Sequence, residues 1–273
     1  MTSADYVAAL DRWHAERIER LRAPDGWLTL VALEWLSPGV HRVGAASDND
    51  IVLPTGPQHV GTLRVADGHV HLTAAPGMPL ASQGHAMPHG ELVSDRGGKP
   101  TKVDAGTLTL QVIERDGRLG LRVRDREARE RREFRGIERF AADERLRITA
   151  RWEPYATPKR VRAASAGGIE QEHVLPGIAR FTVDGQPCAL EPYAEEGSSE
   201  LFFVFGDATN RHETYGGGRF LMAPAPSAGT VLLDFNKAYN PPCVFTPHAT
   251  CPLPTTSNRL PVRITAGEKT YGH

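Results

Sequence analysis

The sequence predicts an all-β protein with an N-terminal helix, in which one β-sandwich is followed by a second β-sandwich or barrel. Three observations favour this class. Apolar residues at helical spacing are clearest near the N-terminus. From residue 40 onward, short runs alternate apolar and polar residues, as half-buried strands do. Asp-Gly and other Gly and Pro turn signals separate these runs, and no long sequence repeat suggests a repeat array.

Composition and charge exclude several functional classes. The chain has 273 residues, of which 40% are hydrophobic and 24% are charged, and its formal net charge is -1 at pH 7. This balance suits a globular core and gives no reason to expect a nucleic-acid partner. The N-terminus lacks the pattern of a signal peptide, and no apolar run reaches the roughly 20 residues of a membrane span. We therefore expect a cytoplasmic protein with no membrane partner and with reduced cysteines.

Residues 4–22 are predicted to form an amphipathic helix, with Ser3 as its N-cap and Asp5 in its first turn. Pro24-Asp25-Gly26 ends the helix. The apolar patch at 27–36 fits either a strand or a short helix. Residues at helical spacing in 4–22 are Tyr6, Leu10, Trp13, Arg17, Ile18 and Leu21.

The remaining chain divides into two predicted β units. Asp67-Gly68 and Asp116-Gly117 are expected to turn hairpins in the first unit. The charged stretch 124–145 is expected to be an exposed connector containing a helical turn. Strand-like runs resume after Pro154, and the last of them, "LPVRITAGE", is expected to be opened by Asn258-Arg259. The predicted limits are 1–39 for the helix and its connecting segment, 40–152 for the first β unit and 153–273 for the second.

Residues 40–110 resemble the forkhead-associated β-sandwich. The stretch "HRVGAASDNDIVLPTGPQHVGTLRVADGHVHLTA" carries the likeness, with Gly44, Asn49 and His59 at matching places. The resemblance implies a sandwich fold and a structural, loop-bracing role for His59. The family's phosphate-reading Arg and Ser positions hold Ala45 and Gly56, which cannot bind phosphate through side chains. A phosphothreonine peptide is therefore not an expected partner.

The whole chain also resembles a bacterial and archaeal family known as domain of unknown function sixteen eighty-four. The carrying segments include "DGWLTLVALEWLSPG", "TYGGGRFL", "LDFNKAYNPPC" and "ATCPLPTTSNRLPVRITAGE". This resemblance implies no activity, so a function has to be argued from the residues.

Candidate functional residues crowd the region 207–268. Three glycines in "TYGGGRF" would let the backbone approach an anion beside Arg219, although Arg219 could instead pair with Asp207 or Asp234. Asp234 and Asn236 are expected on one face of a strand. The prolines of "YNPPCVFTPHATCPLP", residues 239–254, pre-order a segment that could wall a pocket. The predicted ligand-binding residues are Tyr215, Arg219, Asp234, Asn236, Asn240, Cys243, His248 and Cys251.

The two cysteines of this region leave several alternatives open. Cys243, His248 and Cys251 are spaced C-x4-H-x2-C, which lacks the fourth ligand of a structural zinc site. A redox pair, a Cys-His-Asp nucleophile and a pair of inert buried thiols are the other interpretations. We expect no cofactor and no metal. The leading hypothesis is a small polar or anionic ligand in the second β unit; a hydrolase using Asp, His or Cys of 207–251 and a scaffold without a ligand are the alternatives.

Overall fold

The structure is a computed structural model that describes residues 2–194 and 198–272. It consists mainly of β-sheets and carries a long N-terminal helix, so the predicted all-β class with an N-terminal helix is confirmed. The chain divides into two compact units. We call Leu21–Phe134 the sandwich unit, and Met1–Arg20 with Arg135–His273 the composite unit, because it joins both ends of the chain. In the described part of the chain, no helix has the length and apolar character to cross a membrane.

Helix α1 (Ser3–Arg22) agrees with the predicted helix but is capped one residue earlier. The Asp5 backbone N–H donates to Thr2 Oγ1 at 3.2 Å, and the Thr2 backbone N–H donates to Asp5 Oδ2 at 3.0 Å. This reciprocal pair is a capping box with Asp in the usual Glu position, so Thr2 is the N-cap rather than Ser3. Tyr6 and Leu10 form the buried stripe of the helix.

The sandwich unit contains two sheets that share one apolar core. One sheet has the strand order β1-β11-β10-β9-β6-β7, and the other has the order β3-β2-β4-β5-β8. Inward-facing side chains of both sheets form the core because they alternate with outward-facing ones along each strand. The strands are β1 Leu30–Trp35, β2 Gly39–Gly44, β3 Ile51–Val52, β4 Gly61–Ala66, β5 His69–Ala74, β6 Ala81–Ser82, β7 His85–Ala86, β8 His89–Glu91, β9 Lys102–Ala105, β10 Leu108–Arg115 and β11 Arg118–Asp125.

Local signals in the sandwich unit are resolved by the structure. Asp67 and Asp116 have φ values of 52° and 49°, and the glycines after them also have positive φ, as tight hairpin turns require. The undecided patch 27–36 is a 3-10 turn, Trp27–Thr29, followed by β1. The connector predicted at 124–145 contains one short helix, α2 Arg129–Glu133.

The composite unit is built on a seven-stranded antiparallel sheet. Its order is β17-β16-β15-β13-β12-β18, and β14 pairs with β13. The edge strands β17 and β18 approach each other, so the sheet curls toward a barrel around a core of buried apolar residues. The strands are β12 Arg147–Ala164, β13 Glu170–Val183, β14 Gln186–Leu190, β15 Tyr193–Ala194, β16 Glu200–Phe205, β17 Arg219–Pro224 and β18 Thr230–Asp234.

Two elements of the composite unit differ from the sequence expectation. The two compact units divide at 20/21 and 134/135, and strand β12 continues without a break past residue 152. The pairing of β12 with β13 shifts register between Pro154 and Lys159, and this irregularity lets the strand include the proline. "LPVRITAGE" is not a strand, and Asn258 ends a short 3-10 turn instead of opening one. The backbone there is irregular because its carbonyls bind a buried side chain, described next.

Candidate functional site

The eight predicted ligand-binding residues all belong to the composite unit, but they do not form one site. The structure brings three of them together as a thiol cluster and distributes four among three buried polar networks. The side chain of His248 is half-buried, and its backbone N–H donates to Thr246 Oγ1 at 3.2 Å. The thiol cluster contains Tyr215, Cys243 and Cys251; the networks contain Arg219, Asp234 with Asn236, and Asn240.

Arg219 lies at the centre of the first network and is fully buried. Its Nη2 donates to Asp207 Oδ2 at 2.7 Å and to the Ile264 carbonyl at 2.8 Å, while Nη1 donates to the Ala266 carbonyl. Asp207 Oδ1 in turn accepts from the backbone N–H and hydroxyl of Thr209 at 2.8 and 2.6 Å. Arg219 thus pairs with Asp207, one of the alternatives that the sequence leaves open. Its bonds to the two carbonyls also fix the irregular C-terminal tail, residues 260–268.

The last glycine before Arg219, Gly218, lies close to other parts of the chain. Gly218 has a φ of +90°, and a Cβ at this position would lie 2.6 Å from the Phe205 carbonyl oxygen and 2.5 Å from Pro254 Cγ. Only glycine fits such a close, left-handed position. The motif therefore fixes the end of the proline-rich segment against the start of β17.

The second network joins Asp234 and Asn236 to helix α1. β18 ends at Asp234, and Asn236 sits in the 3-10 turn Phe235–Lys237, so the two residues do not share a strand face as predicted. They meet because the turn brings Asn236 Nδ2 to 3.3 Å from Asp234 Oδ1. The Tyr6 hydroxyl donates to the same Oδ1 at 2.7 Å, and burial with this carboxylate raises the pKa of Tyr6. Asn236 also bonds both backbone groups of Asp143 at 2.8 Å.

The third network surrounds Asn240 and Glu268. Glu268 Oε2 accepts from the Asn240 backbone N–H at 2.7 Å, and Arg17 Nη2 donates to the Asn240 carbonyl at 2.9 Å. Arg17 also pairs with Glu268, and Asn240 Nδ2 donates to the Lys269 carbonyl at 2.7 Å. Both helix α1 and the C-terminal tail are thereby attached to the start of the proline-rich segment.

The thiol cluster lies inside the Pro/Cys segment, which we define as residues 239–254. The Cys243 backbone N–H donates to Cys251 Sγ at 3.2 Å. Cys243 is half-buried and Cys251 is buried. A hydrogen bond from the Cys251 thiol, followed by one from the Tyr215 hydroxyl, lowers the pKa of Cys243 although burial opposes the shift. Burial, with the hydrogen bond to Cys243, raises the pKa of Tyr215.

The Pro/Cys segment is hydrogen-bonded to the composite sheet near both of its ends. Tyr239 exchanges both backbone hydrogen bonds with Phe220 of β17, at 2.9 Å each. Near its other end, the Leu253 N–H donates to the Ala164 carbonyl of β12 at 2.8 Å. Gln171 Nε2, from β13, reaches the Thr250 carbonyl at 3.5 Å. The segment is therefore attached to β17 at its start, and to β12 and β13 near its end.

A row of aromatic rings runs across the strands of the composite sheet and ends at Tyr239, the first residue of the Pro/Cys segment. His173 and Tyr193 stack with ring centroids 3.9 Å apart and an interplanar angle of 8°. Phe202 follows Tyr193 at 6.2 Å, Phe220 follows Phe202 at 4.8 Å, and Tyr239 follows Phe220 at 5.8 Å. Phe202 and Phe220 alternate with the core residues of β16 and β17, so these two rings face away from the core.

Two polar atoms of this row are buried and without a hydrogen-bond partner among the described residues: Tyr193 Oη and His173 Nε2. Only 2% of Tyr193 is exposed. Burial raises the pKa of Tyr193 to about 12 and lowers the pKa of His173, so both groups are neutral near pH 7. Sequence reasoning did not select either residue, because single His and Tyr residues in strands have no distinguishing spacing.

Glu191 forms a further polar cluster that the sequence did not indicate. This buried carboxylate accepts from Lys159 Nζ and Ser257 Oγ at 2.8 Å each, and from the Tyr155 hydroxyl. These partners lower the pKa of Glu191 against the effect of burial. Tyr155 and Lys159 reach it because β12 changes register between Pro154 and Lys159. Each carboxylate oxygen is bonded, so the cluster is self-contained.

The fold and this arrangement define a class of β-rich protein whose second half supports a rigid, proline-braced segment. A sequence model of the family described as "Protein of unknown function (DUF1684)" matches residues 132–269, half of the chain, and the chain belongs to this family. The predicted family membership is therefore confirmed. The resemblance of residues 40–110 to forkhead-associated domains stays a prediction.

Solved structures are among the proteins that match the chain. The solution NMR structure of an uncharacterized protein of Haloarcula marismortui is 31% identical, covers 51% of this chain and 79% of its own, and has a TM-score of 0.44. No curated protein matches the chain. Among the residues that the structure describes, no group of three or more His, Cys, Asp or Glu side chains is placed to hold a metal ion.

Proposed function

We propose that the composite unit binds a small polar molecule between the Pro/Cys segment and the aromatic row. The observation that carries the proposal is the pair of buried, unpartnered polar atoms, Tyr193 Oη and His173 Nε2. Leaving a buried polar group without a hydrogen bond costs about 1–3 kcal/mol. A molecule that bonds both atoms would recover that free energy and gain affinity from it.

The chemistry of the pair limits the ligand. Tyr193 is protonated and can donate or accept a hydrogen bond, and neutral His173 can do either at Nε2 according to its tautomer. Aromatic rings line the rest of the row, and planar apolar surfaces stack on such rings. The expected ligand is a small flat molecule with a carbonyl, carboxylate or hydroxyl group. Sites of this kind combine an apolar lining with a few polar contacts.

The buried networks then have a supporting role. Arg219, Asp234 and Asn240 are each bonded to protein groups, although Arg219 Nε and Asn240 Oδ1 have no hydrogen-bond partner among the described residues. Their bonds fix β17, helix α1 and the start of the Pro/Cys segment. A segment fixed in this way loses little conformational entropy on binding, which favours affinity.

Native mass spectrometry of gently purified protein tests the proposal. We expect a noncovalent adduct on the wild-type protein that disappears on denaturation and is reduced in Tyr193→Phe, because the variant lacks the bonding hydroxyl. Tyr155→Phe removes a hydroxyl that donates to Glu191, outside the row and the Pro/Cys segment, and should keep the adduct.

A weak ligand would leave the purified protein bare, so a second measurement is needed. Ligand-observed NMR with benzoate and benzamide as probes should then detect binding to the wild-type protein and less binding to Tyr193→Phe. Absence of an adduct together with absence of probe binding would refute the proposal, and so would equal binding by Tyr193→Phe.

A further inference from the structure

The thiol cluster has a geometry that the ligand-binding proposal does not use. Cys243 and Cys251 are eight residues apart in sequence, and their side chains are in hydrogen-bond contact. The Cys243 N–H also points at Cys251 Sγ, with 3.2 Å between the heavy atoms. Pro242 precedes Cys243 and Pro252 follows Cys251, so the backbone next to each cysteine is restricted.

The two thiols differ in access. Cys243 is half-buried, whereas only 5% of Cys251 is exposed. A small reagent therefore meets Cys243 more readily than Cys251. Hydrogen bonds from Cys251 and Tyr215 also favour the thiolate of Cys243, which is the nucleophilic form.

We propose that Cys243 and Cys251 form a reversible dithiol–disulfide couple that exchanges with low-molecular-weight disulfides. Cys243 is the attacking thiol and Cys251 is the resolving thiol. This activity is independent of the ligand site, because it rests on the sulfur geometry and not on Tyr193 or His173.

The exchange proceeds in two balanced steps. The Cys243 thiolate attacks one sulfur of a disulfide RS–SR, forming a Cys243–SR mixed disulfide and releasing RS⁻, which takes up the proton lost from Cys243. Cys251 then loses its proton and attacks Cys243 Sγ, which forms the Cys243–Cys251 bond and releases the second RSH. The protein loses two electrons and two protons in total, and RS–SR is reduced to two RSH. An excess of a dithiol reductant reduces the Cys243–Cys251 bond to two thiols and is itself oxidised to a cyclic disulfide.

The chain supplies an internal control. Cys188 is buried in the apolar core of the composite unit, and burial raises its pKa. A buried, protonated thiol is a poor nucleophile. It should therefore stay unmodified under conditions that oxidise the Cys243–Cys251 pair.

The test uses the reduced full-length chain with 2-hydroxyethyl disulfide, followed by intact mass and peptide mapping after alkylation. The wild-type protein should lose two hydrogen atoms and yield a linked Cys243–Cys251 peptide with Cys188 alkylated. Cys251→Ser should stop at a stable mixed disulfide on Cys243, and Cys243→Ser should remain unmodified. Dithiothreitol should restore each reduced mass.

Several results would overturn the proposal. The first is a wild-type protein that stays fully reduced. The second is equal labelling rates for Cys251 in the Cys243→Ser variant and Cys243 in the Cys251→Ser variant. The third is modification of Cys188 before the other two cysteines. If a variant fails to fold, peptide mapping of the wild-type protein decides the question by itself, since only the proposed couple gives the linked peptide.

Discussion

Arg219→Met removes a guanidinium that is fully buried and paired with an equally buried carboxylate, Asp207. Removing one partner of a buried ion pair costs about 3–5 kcal/mol, because the remaining charge is left without compensation. The carbonyl oxygens of Ile264 and Ala266 also lose their donor, which adds to the cost. Since whole domains are stable by only about 5–15 kcal/mol, we expect the composite unit to become marginal.

Urea unfolding followed by far-UV circular dichroism measures this effect as a lower midpoint with an unchanged slope. Arg263→Met is the matched control, because Arg263 forms an exposed ion pair with Glu213 and should cost less than about 1 kcal/mol. In the double variant with Asp207→Asn, the loss should be smaller than the sum of the single losses, since the two groups share one interaction. A loss for Arg219→Met that equals the loss for Arg263→Met would refute the reasoning and reopen Arg219 as a ligand contact.

Three further predictions concern the composite unit. Tyr193→Phe should raise the free energy of unfolding of the ligand-free protein by about 1 kcal/mol in urea titrations, because it removes an unpartnered buried hydroxyl. A lower free energy of unfolding would instead show that this hydroxyl has a hydrogen-bond partner within the chain. Tyr6→Phe should lower it by about 1.5–3 kcal/mol, since the hydroxyl donates to the Asp234 carboxylate; an unchanged midpoint would contradict this. Burial lowers the pKa of His173 in the folded protein. The neutral His173 therefore contributes to folding stability above the unfolded-state pKa of about 6.5, and this stability is lost as the pH falls through the folded-state pKa. Thermal midpoints should therefore fall less on acidification in His173→Phe.

Local signals in the sequence predicted much of the fold. Asp-Gly dipeptides located hairpins because few other residues adopt positive φ at both turn positions. The spacing of its apolar residues predicts helix α1 correctly. Thr2 and Ser3 both carry a hydroxyl group that can cap a helix, so the predicted N-cap is one residue too late. The tail "LPVRITAGE" was predicted wrongly, because its alternation of apolar and polar residues matches a strand. Its carbonyls bind the side chain of Arg219 instead of a neighbouring strand, and such a long-range partner leaves no trace in the local pattern.

The candidate site was less predictable than the fold. Composition drew attention to the Pro/Cys segment, and Cys243 and Cys251 are indeed in contact. The same reasoning grouped Arg219 and Asp234 with them, because nearness in sequence was taken for nearness in space. Tyr193 and His173 come from strands β15 and β13, and sheet pairing alone brings them together. No spacing rule could have identified them.

In the proposed ligand site, the prolines of the Pro/Cys segment would keep Tyr193 and His173 without a protein partner. A flexible cover would collapse onto Tyr193 and His173 and satisfy them with its own backbone groups, since unmet buried hydrogen bonds are costly. Proline fixes φ and has no N–H to donate, so Pro252 and the prolines near it limit that collapse. The Asn240 network holds the start of the segment, and Gly218 lies against Pro254 at its end. Both proposals therefore depend on the stiffness of one proline-rich segment, which would keep the polar pair open to a ligand and the two thiols close together.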